Sequence, residues 1–206
     1  PRQGAGHDGP AAGGFASASE LRRLLRAGRG EEAAPYLTAP WSGELADMQH
    51  IERAVLARLR TMTAEDWTRI PDSGAGEGLP PRLERAGKQC HSLEEFTALA
   101  KPKHWTQARM RRLLVWAWLG LTREDRPDQP PYLRVLGFNS RGQAVLKEMK
   151  ERAHLPILTK PAHARSLNGP GRRLFDLEAR CTDLYDLCLE AVPTPGREWT
   201  TSPVRL

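Results

Sequence analysis

Cysteine is scarce in this sequence of 206 residues, which has only three, and none of them belongs to a CxxC pair. An odd number of cysteines argues against a disulfide-stapled secreted domain. Cys181 and Cys188 lie on one predicted helix, a placement typical of small buried apolar side chains. Cys90 is adjacent to His91, and because neighbouring side chains diverge, this pair does not indicate a cysteine nucleophile. The pattern predicts a reduced, cytoplasmic protein.

Long apolar runs and metal-ligand spacings are also lacking. The longest apolar run, LLVWAWLGL at 113–121, is far shorter than the roughly 20 residues that a membrane-spanning helix needs. No membrane segment is therefore predicted. The six histidines are scattered, without the HxxxH spacing that places two imidazoles on one helix face. No metal site is predicted either.

Positive charge is present in excess. The chain has 31 Lys and Arg against 25 Asp and Glu, a net charge of +6 and a pI near 9.6. This balance favours polyanionic partners, nucleic acid first, although an ordinary basic surface gives the same totals. The charge is densest in KPKHWTQARMRR (101–112), where basic side chains can neutralise phosphates and an exposed Trp105 can stack on an unpaired base. The alternative is a solvated helix end with Trp105 packed inward.

Apolar residues recur at helical spacing through most of the chain, most clearly at 43–62. After the linker REDRPDQPP (123–131), YLRVLGF (132–138) and LPILT (155–159) are predicted strands. Ser140 begins a predicted capping box and helix between them, and a connection of this length fits a right-handed parallel crossover. The predicted fold class is mainly α with a small βαβ insert. The other predicted helices cover 17–28, 31–38, a short segment from 63, 83–90, 93–100, 106–121 and 174–189.

The stretch GGFASASELRRLL near the start of the sequence predicts a helix that can receive phosphate. Ser17 and Glu20 form a capping box at its first turn. A helix N-terminus presents unpaired N–H groups and partial positive charge, and Ser19 and Arg22 add a hydroxyl and a cation. The preceding glycine-rich loop adds Arg2, which can pair with a phosphate. The alternative is a plain capped surface helix.

Several quoted stretches occur in one order along the chain: RQGAGHDG, FASASELRRLL, EGLPPRLERA, KPKHWTQARMRRLL, PPYLRVLGFNSRGQAVLKEMK, LPILTK and SPVRL. Together they resemble the tRNA(Met) cytidine acetate ligases, which are nucleotidyltransferase-family proteins. The resemblance implies an ATP-dependent ligase that activates acetate as acetyl-adenylate. Such a ligase then passes the acetyl group to N4 of the wobble cytidine of elongator tRNA(Met). ATP with Mg²⁺, acetate and tRNA are the implied substrates and partners.

The same resemblance implies roles for individual residues. Arg2 and Gln3 match an ATP-contacting pair, and Ser17, Ser19 and Arg22 match a serine-rich helix start that faces the nucleotide phosphates. No catalytic residue is assigned. The candidates for tRNA contact, chosen by their charge, are Lys101, Lys103, Arg109, Arg111 and Arg112.

The resemblance also implies an N-terminal nucleotide-binding domain of Rossmann type. Its GxxxPxHxGH segment and the strands of its sheet are not found in this sequence. We therefore expect the chain to be the C-terminal half of a ligase, with the missing N-terminal half as its partner. In this interpretation 1–28 is a remnant of the nucleotidyltransferase domain, 29–122 is the helical tRNA-binding region, and 132–206 is the C-terminal βαβ plus helix. The alternative is a non-catalytic basic RNA-binding helical module.

The purified 206-residue chain is expected to form no acetyl-adenylate from ATP and acetate, and to transfer no acetyl group to tRNA. The physical reason is that the histidines of the GxxxPxHxGH segment stabilise the charge that develops on the phosphates during adenylyl transfer. The measurement is chromatographic detection of acetyl-adenylate. A detectable amount would overturn the interpretation.

Overall fold

The structure, a computed structural model, describes residues 15–38, 41 and 43–206. These residues are mostly helical and belong to two compact units. One unit comprises Pro1–Asp47 with Leu189–Ala191, and the other comprises Met48–Cys188 with Val192–Leu206. In the described part of the chain, no helix has both the length and the apolarity to cross a bilayer. The predicted division into 1–28, 29–122 and 132–206 concerns functional regions and stays a prediction.

The first unit contains α1 (Ala18–Arg26) and α2 (Gly30–Ala33). Ser17 caps α1, because its hydroxyl oxygen accepts from the Glu20 N–H at 3.1 Å. The Glu20 carboxylate pairs instead with Arg23 in the next turn, at 2.7 and 2.8 Å. The predicted helix over 31–38 is wrong in its second half. The chain there continues as a 3-10 turn over Ala34–Tyr36, since Pro35 has no N–H to donate to an α-helical bond.

The second unit begins with five helices that pack around one apolar core. Trp67 and Phe96 are fully buried and stack with their ring centroids 5.9 Å apart. Leu59, Leu83 and Met110 are also fully buried and come from three different helices. The helices are α3 (Glu52–Thr61), α4 (Ala64–Arg69), α5 (Leu79–Gln89), α6 (Leu93–Ala100) and α7 (Gln107–Leu119).

Two predicted helix starts in this unit are wrong. The helix predicted from residue 43 is a 3-10 turn over Met48–Ile51 followed by α3, and Gly43 upstream has a φ of +88° that no helix accommodates. Helix α5 begins at Leu79 and not at 83. Pro80 and Pro81 fit its first turn, where a missing N–H costs nothing.

The remainder of the second unit carries the small parallel sheets. Strand β1 (Leu133–Arg134) pairs in parallel with β3 (Ile157–Leu158), and α8 (Ser140–Arg152) connects them. The predicted βαβ insert is therefore confirmed, while its handedness stays a prediction. The N-cap of α8 is Asn139, whose side chain accepts from the Gly142 N–H at 2.9 Å, so the capping box predicted from Ser140 is wrong.

The predicted strand over 132–138 is two strands. Val135 still donates to Leu158 at 3.0 Å, but the Leu136 carbonyl already accepts from Val204 at 3.0 Å. The chain thus leaves β3 and pairs, as β2 (Gly137–Phe138), in parallel with β4 (Val204–Arg205). The pairing of β2 with β4 was not expected from the sequence.

Helix α9 (Gly169–Asp186) starts five residues before the predicted 174, because Pro170 occupies its first turn. Its Phe175 lies in a second small core with Tyr132, Leu158 and Leu167. Helix α10 (Arg197–Thr200) adds Trp199, whose ring packs edge-on against that of Phe175 with the two ring centroids 4.7 Å apart. The connecting 3-10 turns cover Ala75–Glu77, Arg123–Asp125 and Pro161–Ser166.

Gly87→Ala is expected to lower the free energy of unfolding by about 1–3 kcal/mol. Helix α5 passes so close to α3 at this point that an ideal Cβ on Gly87 would lie 2.7 Å from the Leu59 carbonyl oxygen, which belongs to backbone and cannot turn aside. Denaturant unfolding measures the effect. Gly76→Ala is the matched control, since a Cβ there meets open space and removes only unfolded-chain entropy. Equal stability of the two variants would contradict the expectation.

Candidate nucleic-acid interface

The basic segment, defined as residues 101–112, runs from the end of α6 through the first half of α7. Thr106 sets the start of α7, because its hydroxyl accepts from the Arg109 N–H at 3.2 Å. The first turn of α7 contains no acidic residue, unlike those of α3, α4 and α6. The partial positive charge of this helix end is therefore not offset by a carboxylate within its own first turn.

Trp105 joins the basic segment to the loop that precedes α5. Its indole N–H donates to the Glu77 carboxylate at 3.1 Å, and only 4% of the residue is exposed. The Arg109 guanidinium lies over the indole, 3.1 Å from the ring centroid, and its Nε donates to the Asp72 carbonyl at 3.0 Å. We call this arrangement of Trp105, Arg109, Glu77 and Asp72 the Trp105 clasp. A cation on an indole face adds to the hydrogen bonds that close the clasp.

The loop can close on Trp105 only because it has glycine at position 74. An ideal Cβ there would lie 2.7 Å from the indole ring, and Gly74 also has a φ of +66°. Asp72 has a φ of +59°, a conformation that Asp adopts more readily than most residues. Within the loop PDSGAGEG (71–78), Gly74 is thus the glycine that lets backbone lie against the aromatic ring, whereas Gly76 and Gly78 face open space.

The alternative interpretation of Trp105 is therefore right: the ring packs inward and is not available to stack on a base. The cations of the basic segment differ in what they contact. The Arg109 side chain is only 26% exposed and lies 3.6 Å from Glu77, and Arg112 lies 3.6 Å from the Asp72 carboxylate. Lys103 and Arg111 are exposed and have no ion-pair or hydrogen-bond partner within the described part of the chain. Lys101 is half-buried and contacts the adjacent Pro102 carbonyl at 3.5 Å.

The clasp also lowers the pKa of the Glu77 carboxyl below its ordinary value. The indole N–H of Trp105 is the main cause, and the Arg109 charge acts in the same direction. The ionised carboxylate is thus the form that the clasp binds.

Several arginines outside the basic segment form hydrogen bonds within the fold. Five arginines donate to backbone carbonyls at the C-terminal ends of helices, at 2.9 to 3.5 Å. The Ala117 carbonyl also accepts from the Gly120 N–H at 3.2 Å. The other four lie where a helix no longer supplies N–H donors, so there the guanidinium satisfies an acceptor that would otherwise be left to water. Sequence analysis missed this role, because the donor and the helix end are far apart along the chain. The pairs are Arg58 with Ala117, Arg60 with Cys90, Arg82 with Leu99, Arg123 with Thr68 and Arg180 with Leu119.

The residues expected to contact ATP fall partly outside the description. Arg2 and Gln3 lie outside the described residues. At the start of α1 the Ser17 hydroxyl caps the helix, Ser19 is half-buried and Arg22 is exposed. Their assignment to a nucleotide stays a prediction. Among residues 15–38, 41 and 43–206, no group of three or more His, Cys, Asp or Glu side chains is placed to hold a metal ion.

The comparisons identify the class of protein. The family model described as HIGH Nucleotidyl Transferase matches residues 1–198 of the chain. The chain therefore belongs to the HIGH nucleotidyl transferase family.

Within that class, the resemblance predicted from the sequence is confirmed by curated relatives named tRNA(Met) cytidine acetate ligase. The relative from Syntrophomonas wolfei is 32% identical over 75% of this chain and 39% of its own length. The relative from Kosmotoga olearia is 33% identical over 78% of this chain and 41% of its own length. A relative from Listeria monocytogenes is 31% identical over 91% of this chain and 47% of its own length. The chain thus spans less than half the length of these relatives.

Solved structures share the fold. A crystal structure of Thermotoga maritima TmcAL in its apo form matches with a TM-score of 0.80 and 24% identity, over 100% of this chain and 54% of that one. A second crystal structure of TmcAL, bound with alpha-thio ATP, matches with a TM-score of 0.77 and 24% identity, over 93% of this chain and 52% of that one. At this identity the likeness supports the fold and assigns no residue.

Glu77→Gln is expected to destabilise the protein at neutral pH and to matter progressively less as the pH falls below 4.5, the ordinary pKa of the carboxyl. A carboxyl whose pKa is lowered by folding stabilises the folded state above its unfolded pKa. It loses that contribution as the pH falls through the folded pKa. Thermal unfolding across an acid pH series measures the difference.

Glu65→Gln is the control for that series, because Glu65 is exposed and outside the clasp. A constant difference between wild type and Glu77→Gln at every pH would show that the ionised carboxylate is not what closes the clasp.

Proposed function

We propose that this chain provides the tRNA-binding surface of an ATP-dependent ligase that acetylates a cytidine of tRNA. Family membership and the names of the curated relatives support the class of reaction. The observation that carries the tRNA-binding role is the basic segment, where exposed cations stand at a helix start held by the Trp105 clasp.

The proposed chemistry has two steps. An acetate oxygen attacks the α-phosphorus of ATP, so that pyrophosphate leaves and acetyl-adenylate forms. The N4 amine of the cytidine then attacks the acetyl carbon, a proton is lost from nitrogen, and AMP leaves. We propose that the start of α1, with Ser17, Ser19 and Arg22, faces the nucleotide phosphates, since a helix N-terminus favours anions. Participation of Mg²⁺ and a cytoplasmic location stay predictions.

Within the basic segment, the contacts of each cation support two different roles, phosphate binding and positioning of the segment. Lys103 and Arg111 project charge without a partner in the described part of the chain, so their pairing with phosphates breaks no bond within the fold. Arg109 has three contacts in the clasp and acts as a positioning residue for the segment. Lys101 and Arg112 flank these residues and add charge along the same stretch. The basic RNA-binding module without catalysis would share this interface and would lack the ATP site.

The double variant Lys103→Glu/Arg111→Glu is expected to weaken binding of tRNA by the full chain at least tenfold. It is also expected to reduce the slope of log affinity against log salt by about 1 to 2, because each lost phosphate contact removes about one released counterion. Filter binding or fluorescence anisotropy over a salt series measures both quantities.

The matched control is Arg53→Glu/Arg85→Glu, which changes the net charge equally. Arg53 and Arg85 are exposed on α3 and α5 and have no ion-pair partner in the described part of the chain. If both double variants lose the same affinity, the effect is one of net charge and the assignment of the basic segment is wrong. Arg109 is left out of the variant because its loss would open the clasp.

A further inference from the structure

A pocket beside β2 and β4 is lined by both aromatic and basic side chains. Its volume is about 270 Å³, slightly below the range of about 300 to 1,000 Å³ typical of small-ligand sites. A second, adjoining pocket shares four of its lining residues. The shared residues are Lys160, Pro161, Ser202 and Pro203.

The lining of the larger pocket combines three kinds of side chain. Phe138 and Trp199 are half-buried aromatic residues, Thr159 and Thr200 carry hydroxyls, and Lys160 is an exposed cation. Arg205, also in the lining, lies with its guanidinium 5.8 Å from the centre of the Phe138 ring. None of the residues that line either pocket is Asp or Glu. The combination fits a ligand that has both a flat ring and a negative charge.

An ion cluster lies next to the adjoining pocket, because its central residue, Arg134, lines that pocket. Arg134 pairs with Glu178 at 3.1 Å and with Glu198, and Glu198 also accepts from the Thr182 hydroxyl at 2.6 Å. The cluster joins β1, α9 and α10, so it fixes the backbone that carries Trp199. Glu178 and Glu198 both pair with Arg134, and neither forms an ion pair with Lys160, which has no ion-pair partner in the described part of the chain.

We propose that this pocket binds one unpaired nucleotide of an RNA. The base contacts Phe138, and the adjoining phosphates contact Lys160 and Arg205, since the Trp199 ring already packs against Phe175 and Arg172. Stacking of bases on aromatic rings with cations on the backbone is how proteins bind single-stranded RNA, whereas a base inside a duplex cannot enter a pocket. The inference rests on the proposed function for the kind of ligand, and on its own residues for the site. None of the pocket residues belongs to the basic segment.

The test compares a single-stranded RNA oligonucleotide with a duplex of the same length, bound to the full chain. Lys160→Glu/Arg205→Glu is expected to weaken single-strand binding at least tenfold and to change duplex binding little. The control Arg165→Glu/Arg173→Glu makes the same charge change at exposed residues outside the pocket lining. Circular dichroism checks that each variant is folded.

A second measurement uses the same oligonucleotide carrying a photoreactive uridine. Irradiation is expected to attach it to peptides that contain Phe138 or residues 199–205 of the wild-type chain. The proposal would be overturned if the pocket variant and the control variant lost the same affinity for single-stranded RNA. It would also be overturned if the oligonucleotide became attached only to peptides outside the pocket. Binding of free nucleoside monophosphates by a chain that does not bind RNA would also overturn the proposal, since the pocket would then serve a small molecule.

The two proposals can fail separately. If Lys103→Glu/Arg111→Glu weakens tRNA binding but the pocket variant binds single strands normally, only the pocket proposal is wrong. If the pocket variant loses single-strand binding but the basic-segment variant binds tRNA normally, only the assignment of the basic segment is wrong.

Discussion

Hydrogen bonds from arginine to the carbonyls at helix ends are the interaction on which the second unit depends. Its helices are short, so a large share of their carbonyls lies in a last turn without an internal partner. Guanidinium groups reach these carbonyls from residues 17 to 61 positions away along the chain. Each bond therefore joins two elements and also places a positive charge at the negative end of a helix dipole. Packing of Trp67 and Phe96 supplies apolar burial, while these bonds help to determine which helix ends meet.

This use of arginine changes what the net charge of +6 means. The net charge includes arginines whose guanidinium donates to a helix end or lies over Trp105. These groups are already engaged within the fold, so counting them overstates the charge that is available to bind nucleic acid. Under the proposals made above, the cations that bind RNA are those whose ends face solvent without a partner in the described residues, such as Lys103, Arg111 and Lys160. Lys103 and Arg111 belong to the basic segment, and Lys160 lines the pocket beside β4.

Local signals in the sequence predicted what depends on local structure. Ser17 was correctly predicted to begin a capped helix, a helix was correctly predicted to begin at Thr106, and the pairing of β1 with β3 followed from a strand, a helix and a second strand in succession. What depends on distant residues was missed. Strand β4 is two residues long and exists only because Leu136 and Phe138 present free backbone groups to it. The clasp was missed for the same reason, since Glu77 and Trp105 are 28 positions apart. The family resemblance named the class of chemistry and gave no information on these contacts.

The Trp105 clasp has a consequence for how this part of the chain can change over evolutionary time. Gly74 admits the indole, Glu77 accepts its N–H, and Arg109 covers its face, so these three side chains constrain one another through Trp105. A smaller ring at 105 would leave a void beside Gly74 and remove the N–H that Glu77 accepts, and a larger residue at 74 would clash with the ring. Because these four residues are in contact, the effects of replacing them are expected not to add, so a change at one of them alters which residues the others can be.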